Sequence, residues 1–378
     1  MLSGPISTPV SLELRTKIVM TSSMPADLVS AGVFPDHNRM TTFWDDYPVL
    51  RADLERVQSV ILDAMTARSS YLTEALVDLA SRGGKMLRPG FALLAARMKE
   101  TQTRRLLVKR HGPPSFFALL PDRIYRMAAA IEILHLASLV HDDVIDDADY
   151  RRSQPTLHQK YGRREAILMG DYLFSKCFSL VADYGSMENA RLLAAGVSHI
   201  CAGEISQAEQ SDPDRVSVRG YIHRVIGKTS LLFALSFHVG ASENGIENPA
   251  LRALRRIGHN VGIGFQIIDD ILDFTGSTGQ LGKSAGNDLR NGILTLPVIH
   301  ALAHDDGELA SYIKSGACAH DNIDSILGRI ESRGGLWHAR RDAERYTARA
   351  LREAATLPDC DVKEVLLGVI RRLLVRQY

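Results

Sequence analysis

The chain has 378 residues, 45% of them apolar and 24% charged, with a formal net charge of +1. That length and apolar content can bury a substantial core, and the balanced charge excludes an overall field that would hold nucleic acid or an anionic surface. An acidic ligand must be held by local basic residues. The cysteines, Cys177, Cys201, Cys318 and Cys360, include no CxxC pair, which argues against a disulfide framework or a thiolate zinc site and fits a reducing compartment.

Residues 1–45 are rich in Ser, Thr, Pro and Met without a sustained apolar period, which predicts a poorly ordered leader and targeting segment. Its bases Arg15, Lys17 and Arg39 are matched by Glu13, Asp27 and Asp36, so the signal for a mitochondrial presequence is weak. Beyond it, apolar residues recur at helical spacing and strict alternation is scarce, which predicts an all-α domain over 46–378. Helices are expected over 49–81, 89–99, 123–147, 164–184, 187–210, 218–241, 249–274 and 294–304, with shorter ones following. Breaks are expected at Gly83-Gly84, Pro113-Pro114, Ser211-Asp212-Pro213 and 276–286. The segment near 100–122 holds Arg104, Arg105, Lys109, Arg110 and His111 and reads as a solvated loop insertion, contact with a partner or lipid headgroup being the alternative. No apolar run reaches the roughly 20 residues of a membrane span. The best candidate, 127–140, is interrupted by Glu132 and His135, so membrane contact is expected to be peripheral at most.

Two aspartate-rich segments dominate: His141-Asp142-Asp143-Val144-Ile145-Asp146-Asp147 and Gln266-Ile267-Ile268-Asp269-Asp270-Ile271-Leu272-Asp273. Both end apolar helical stretches. Residues four apart on a helix share a face, so Asp142 stands with Asp146 and Asp269 with Asp273. Like charges at that spacing repel, and a helix C-terminus is already the negative end of its dipole. Acids placed there cost stability unless cations are bound. Paired oxygen ligands suit magnesium, which keeps several waters and is usually shared with substrate phosphates. One such motif could be a solvated helix end; two with the same spacing on apolar helices point to a metal site.

Carboxylates and magnesium cannot hold a diphosphate unaided, and the sequence supplies fixed cations. Gly83-Gly84-Lys85-Met86-Leu87-Arg88-Pro89 sets a glycine pair before two cations, and Pro89 suits a first helical turn. Arg151-Arg152 follow the first acidic segment, and Gly227-Lys228-Thr229 and Gly282-Lys283 add further cations. Taken singly each is a surface charge; their value is joint.

With these motifs in this order, joined by Met169-Gly170-Asp171, Gly203-Glu204-Ile205 and Gly264-Phe265-Gln266, the chain from Asp46 onward resembles the trans-type polyprenyl diphosphate synthases. The resemblance implies the isoprenoid synthase fold: a single bundle of antiparallel helices around a deep central cavity, with the acidic segments facing each other across its mouth. It implies that Asp142, Asp146 and Asp269, with Asp143 and Asp273, hold about three Mg2+ ions against an allylic diphosphate. Arg151, Lys228 and Lys283 would add positive charge at the departing pyrophosphate, and Thr229 and Gln266 would orient it. Lys85, Arg88, His135 and Arg152 match the family positions that bind isopentenyl diphosphate, whose double bond attacks the allylic cation before a proton is lost. His141 reads as a structural hydrogen-bonding residue, because no HExxH or comparable zinc set surrounds it. A homodimer is implied, with room for a second subunit and no nucleic-acid partner.

Short-chain members of the family block the growing tail with bulky aromatics just before the first acidic motif. Here those positions are Ala137 and Ser138, at about 1.5 Å of depth per residue below Asp142. Leu134 and Ile133 are deeper and not aromatic; close helix packing is the other explanation for small residues here. Residues 288–297 also resemble the long-chain branch, lacking the lysine that many short-chain members place after the glycine. The expected product is therefore of octaprenyl to decaprenyl length, suited to a ubiquinone side chain. That would favour a mitochondrial location, with the cytosol or another organelle open. A geranylgeranyl or farnesyl diphosphate synthase is the alternative within the class. A non-catalytic subunit is the alternative outside it, and both intact acidic sets argue against that.

Overall fold

Pro48 occupies the first turn of helix α1 (Pro48–Met65), where a missing N–H has no helical partner to lose. The computed structural model describes residues 43–111, 119–151, 154–207, 213–275, 286–315 and 323–374, with backbone only at 100–111 and 206–207. These residues belong to the compact unit Thr41–Tyr378, and the expected leader, 1–42 of it, lies outside them. Phe43 and Trp44, assigned to the leader by composition, are buried in the unit.

The helix expected over 49–81 is two helices. Thr66 is extended, and Ser69 caps α2 (Ser70–Ser81) by accepting the Leu72 N–H. The Thr73 hydroxyl bonds the Ala67 backbone. These side chains offer the backbone an alternative to helix that apolar spacing does not register. After the Gly83-Gly84 turn comes α3 (Leu87–His111). It runs twelve residues past its expected end, so the predicted loop over 100–111 is helix. The stretch has no Gly or Pro, and Arg, Lys and Leu are good helix formers. The Pro113-Pro114 break lies outside the described residues.

Helix α4 (Asp122–Ile145) leads through a hairpin, β1 (Tyr150–Arg151) and β2 (Gln154–Pro155), to α5 (Leu157–Tyr161), α6 (Arg163–Tyr184) and α7 (Met187–Gln207). Helix α8 (Val218–Val225), a π-helical turn (Ile226–Ser230) and α9 (Leu231–Glu243) form one continuous helix. There follow α10 (Ala250–Thr275), α11 (Asn287–Arg290), α12 (Leu296–Leu302), α13 (Glu308–Lys314), α14 (Ile323–Ser332), α15 (Gly335–Ala355) and α16 (Asp361–Leu374).

The centre of the bundle is α9, buried from Leu232 through Ala241. It lies close to α3 and α10 because glycines stand at the crossings. A Cβ on Gly240 would overlap the Ala92 carbonyl of α3, and one on Gly258 of α10 would meet the Phe233 carbonyl. Phe91 stacks on Phe237 with ring centres 4.8 Å apart. Among the described residues, only Val218–Glu243 is long and apolar enough to cross a membrane. It is longer than any apolar run expected from sequence, but 72% of its apolar window is buried inside the bundle, as in a core helix.

A buried polar knot ties three helices. Arg97 of α3 donates to Asp53 of α1 at 2.6 and 2.8 Å, and the Tyr125 hydroxyl of α4 donates to the other Asp53 oxygen at 2.8 Å. The Leu120 N–H donates to Tyr125 in turn, fixing the approach to α4.

Candidate active site

Three elements meet at the site: the C-terminal turns of α4 and α10, which carry the aspartates, and the π turn between α8 and α9. The motifs keep the helical spacing expected of them. Half-buried Asp142 lies on the last turn of α4 and exposed Asp146, four residues on, caps that helix, while Asp269 and Asp273, both half-buried, stand four apart on α10. The second aspartate of each motif turns inward: Asp143 is 6% exposed and Asp270 3%.

The π turn widens the helix at Gly227-Lys228-Thr229, and such turns are frequent at functional sites. It sends neighbouring side chains to different partners. Lys228 Nζ stands 3.7 Å from Asp142 and 2.9 Å from Glu204 of α7. The Thr229 hydroxyl donates to Gln266 Oε1 at 2.8 Å, and Gln266 Nε2 donates to Asp270 at 2.9 Å. The other Asp270 oxygen accepts from the Tyr221 hydroxyl at 2.6 Å. The two acidic motifs are thus joined through Lys228, Thr229 and Gln266.

Burial pushes the Asp142 carboxyl up to about 6, with Glu204 and Asp146 adding to the rise against the opposing pull of Lys228 and Arg151. Burial also takes Asp270 up to about 7, although Tyr221 and Gln266 stabilise its charged form. Burial opposes the charge of Lys228 too, but Asp142 and Glu204 outweigh it and hold the ammonium above its ordinary value. Burial thus disfavours ionised carboxylates here, beside a lysine whose charge Asp142 and Glu204 favour.

Asp143, expected among the metal ligands, accepts from Arg151 Nε at 2.6 Å. Its burial raises its pKa despite that guanidinium. Arg151 lies on β1, paired with Gln154 of β2, while Arg152 lies outside the described residues. Arg82 donates to the Pro155 carbonyl of β2 at 2.6 Å and to Asp78 at 2.9 Å, tying this hairpin to the Gly83-Gly84-Lys85 turn. In that turn Met86 takes a positive φ of 46°, and the Lys85 carbonyl accepts from the Trp44 indole at 2.5 Å. Lys85 is exposed and Arg88 half-buried, the Arg88 guanidinium lying 4.9 Å over the Phe233 ring, and His135 is half-buried on α4. Lys283 falls outside the described residues; the chain after it is fastened to α10, where the Asp273 carboxylate accepts the Asp288 N–H at 3.1 Å.

The expected floor residues differ from each other. Ser138 lies one turn before Asp142, is half-buried and donates to the His135 carbonyl at 2.8 Å. Ala137 is wholly enclosed. His141 has the hydrogen-bonding role expected of it, with Nε2 placed 3.2 Å from the Ile167 carbonyl and 3.5 Å from Asp171. A Cβ on Gly170 would occupy the space of that imidazole. Sequence reasoning missed Arg82, Tyr221 and the Lys228–Glu204 pair. Tyr221 is 49 residues from its partner, and no local spacing marks it.

No group of three or more described His, Cys, Asp or Glu residues sits close enough to hold a metal ion from the protein side alone. Two separate banks of carboxylates would suit magnesium, which usually keeps several waters and is shared with substrate phosphates. Burial raises the Asp142 pKa, and a cation bound beside it would favour the ionised carboxylate.

Known proteins resemble this chain over most of its length. Residues 69–330 match the polyprenyl synthetase family. Heptaprenyl diphosphate synthase component 2 of Geobacillus stearothermophilus is 35% identical over 332 residues, covering 88% of this chain and 98% of the relative. The chloroplastic solanesyl diphosphate synthase 2 of Arabidopsis thaliana is 32% identical, covering 86% of this chain and 75% of the relative. The crystal structure of a geranylgeranyl pyrophosphate synthase from Lactobacillus brevis superposes with a TM-score of 0.78 at 30% identity, covering 89% of this chain and 99% of that one. The fold is the all-α isoprenoid synthase fold, and the chain belongs to the polyprenyl synthetase family of trans-prenyltransferases.

Proposed function

We propose that the protein condenses isopentenyl diphosphate head to tail onto an allylic diphosphate and repeats the addition to give a long all-trans polyprenyl diphosphate for a quinone side chain. The observation that carries this reading is the link from Asp142 through Lys228 and Thr229 to Gln266 and the second acidic motif. Asp142 and Asp146 on one side, Asp269 and Asp273 on the other, would hold Mg2+, which supplies the charge that makes pyrophosphate a good leaving group. Lys228 stands ready beside Asp142 to neutralise the departing oxygens, and Thr229 and Gln266 orient them. Arg151, braced by Asp143, adds a second cation. Lys85, Arg88 and His135 receive isopentenyl diphosphate. The allylic C–O bond breaks, the isopentenyl double bond forms the new C–C bond, and the proton lost from the adduct goes to pyrophosphate.

Ser138 supports the long product, since it is small and shares the helical face of Asp142; the long-chain names of several relatives support it as well. Similarity to a geranylgeranyl pyrophosphate synthase supports a shorter product as the second reading. A homodimer fits the outer faces of α6 and α7, where Leu168 is 58% and Ile205 74% exposed. Incubation with Mg2+, farnesyl diphosphate and labelled isopentenyl diphosphate, followed by sizing of the dephosphorylated products, tests the reading. A ladder reaching octaprenyl length or beyond supports it. Termination at geranylgeranyl length keeps the class and rejects the long chain, and no incorporation rejects the activity.

A further inference from the structure

Helix α15 turns an arginine face outward. Arg341, Arg345, Arg349 and Arg352 are all exposed. At about 100° per residue they fall with Trp337 on one arc of about 120°. Trp337 is 55% exposed, and the Arg341 guanidinium lies 4.9 Å over its ring. Helix α10 packs alongside and continues the face with exposed Arg252 and Arg255. The two helices adjoin closely: Arg256 pairs with Glu353 at 2.9 Å, and Arg255 and Arg349 both bear on His259. Acids stand at both edges of the arc, Glu344 on one side and Asp342 and Glu353 on the other, with Asp342 3.5 Å from Arg345. Among the described residues no carboxylate is within ion-pair distance of Arg252, Arg255, Arg341, Arg349 or Arg352. In a chain of net charge +1 this is a local excess.

We propose that this face docks on the anionic headgroups of a lipid bilayer, with the Trp337 indole seated at the interface. Guanidinium groups bind phosphate oxygens in pairs, and a tryptophan with one apolar and one polar edge settles at headgroup depth. The face follows one straight helix for about 22 Å, at 1.5 Å per residue, as a flat surface requires. Nucleic acid fits less well, since single-strand binders present several stacking rings and this face presents one. The inference also draws on the long-chain reading above, because a growing polyprenyl tail is insoluble in water and leaves the enzyme most readily into lipid.

The test is sedimentation of the full-length protein with vesicles of phosphatidylcholine alone or mixed with phosphatidylglycerol, without prenyl substrates. Binding is expected only to the anionic vesicles, weakening as salt rises. The chain has two tryptophans and Trp44 is fully buried, so a blue shift of emission on binding reports Trp337. Each basic residue near an anionic surface multiplies binding about fivefold, so replacing four arginines (R341Q, R345Q, R349Q and R352Q together) should weaken it more than about 100-fold. Turnover of that variant on a short soluble primer should be unchanged, which shows that it folds. W337A should lose the emission shift and keep most of the sedimentation. Absence of binding to anionic vesicles, or equal binding by the quadruple variant, overturns the proposal. So does retention of RNA under salt conditions where vesicles are not bound. Because no substrate is present, vesicle binding with a short product would leave the docking face standing and reject the long chain, and the reverse result would do the opposite.

Discussion

Replacing Asp142 with asparagine removes a charge that the folded protein holds against its own stability. Burial, helped by Glu204 and Asp146, lifts this carboxyl from 3.8 to about 6 even with Lys228 and Arg151 nearby. At about 1.36 kcal/mol per pKa unit, the ionised group costs the fold about 3 kcal/mol. The sign follows from linkage: a carboxyl whose folded pKa is raised binds protons more tightly when folded. Its penalty is therefore present in full above about pH 6 and gone below about pH 4. Asp142→Asn should unfold later than the parent at pH 7.5, by roughly 4 °C for a chain of this size, with the gap closing as pH falls toward 4. Thermal unfolding followed by circular dichroism, without metal, measures this. The variant should also lose turnover, and magnesium with inorganic pyrophosphate should stabilise the parent but not the variant. A variant no more stable than the parent at pH 7.5, or a gap that does not change with pH, would refute the picture of a carboxylate held ready for a cation.

Tyr221→Phe takes a hydrogen bond from a buried Asp270 oxygen, costing about 1–3 kcal/mol. It should raise the magnesium concentration that gives half-maximal turnover, and an unchanged magnesium titration would remove Tyr221 from the site. Ser138→Phe should shorten the product in the sizing assay, while Ala137→Phe, at a fully enclosed position, should cost about 1–3 kcal/mol in thermal stability. Equal effects of the two would undo the distinction drawn between them. Asp53→Ala takes the paired carboxylate from the buried Arg97 guanidinium, for an expected loss of about 3–5 kcal/mol in urea unfolding. A loss below about 1 kcal/mol would show that the knot contributes little. Arg82→Ala frees the Lys85 turn from the hairpin and should raise the KM for isopentenyl diphosphate while leaving that for the allylic primer; a rise in both would point to a general loss of structure.

Helical periodicity was enough to read the bundle, because most of these helices bury one apolar face and that face repeats along the chain. The pairing of Asp142 with Asp146 and of Asp269 with Asp273 was legible for the same reason: both ends of each pair are on one helix. The errors came where local chemistry overrides the period. Ser69 and Thr73 end a helix that the apolar spacing would have carried through, and α3 extends across charged residues that favour helix without an apolar face to announce it. Tyr221 with Asp270, Lys228 with Glu204 and Arg82 with Pro155 were not legible, since each joins elements far apart in the chain. The inward turn of Asp143 and Asp270 follows from the helix twist, yet which partner receives each one is decided by tertiary packing.

The π turn at Ile226–Ser230 acts as a phase slip in an otherwise regular helix. Such a bulge amounts to one additional residue, or about 100° of rotation between the segments on either side. Below the slip Tyr221 is in register with Asp270, and above it α9 is in register with the glycines and aromatics of α3 and α10. Deleting Gly227 would leave a tidier helix that could satisfy one of these registers but not both. The lysine that faces the first acidic motif therefore sits on the one stretch of this helix whose irregularity the surrounding bundle cannot anneal away.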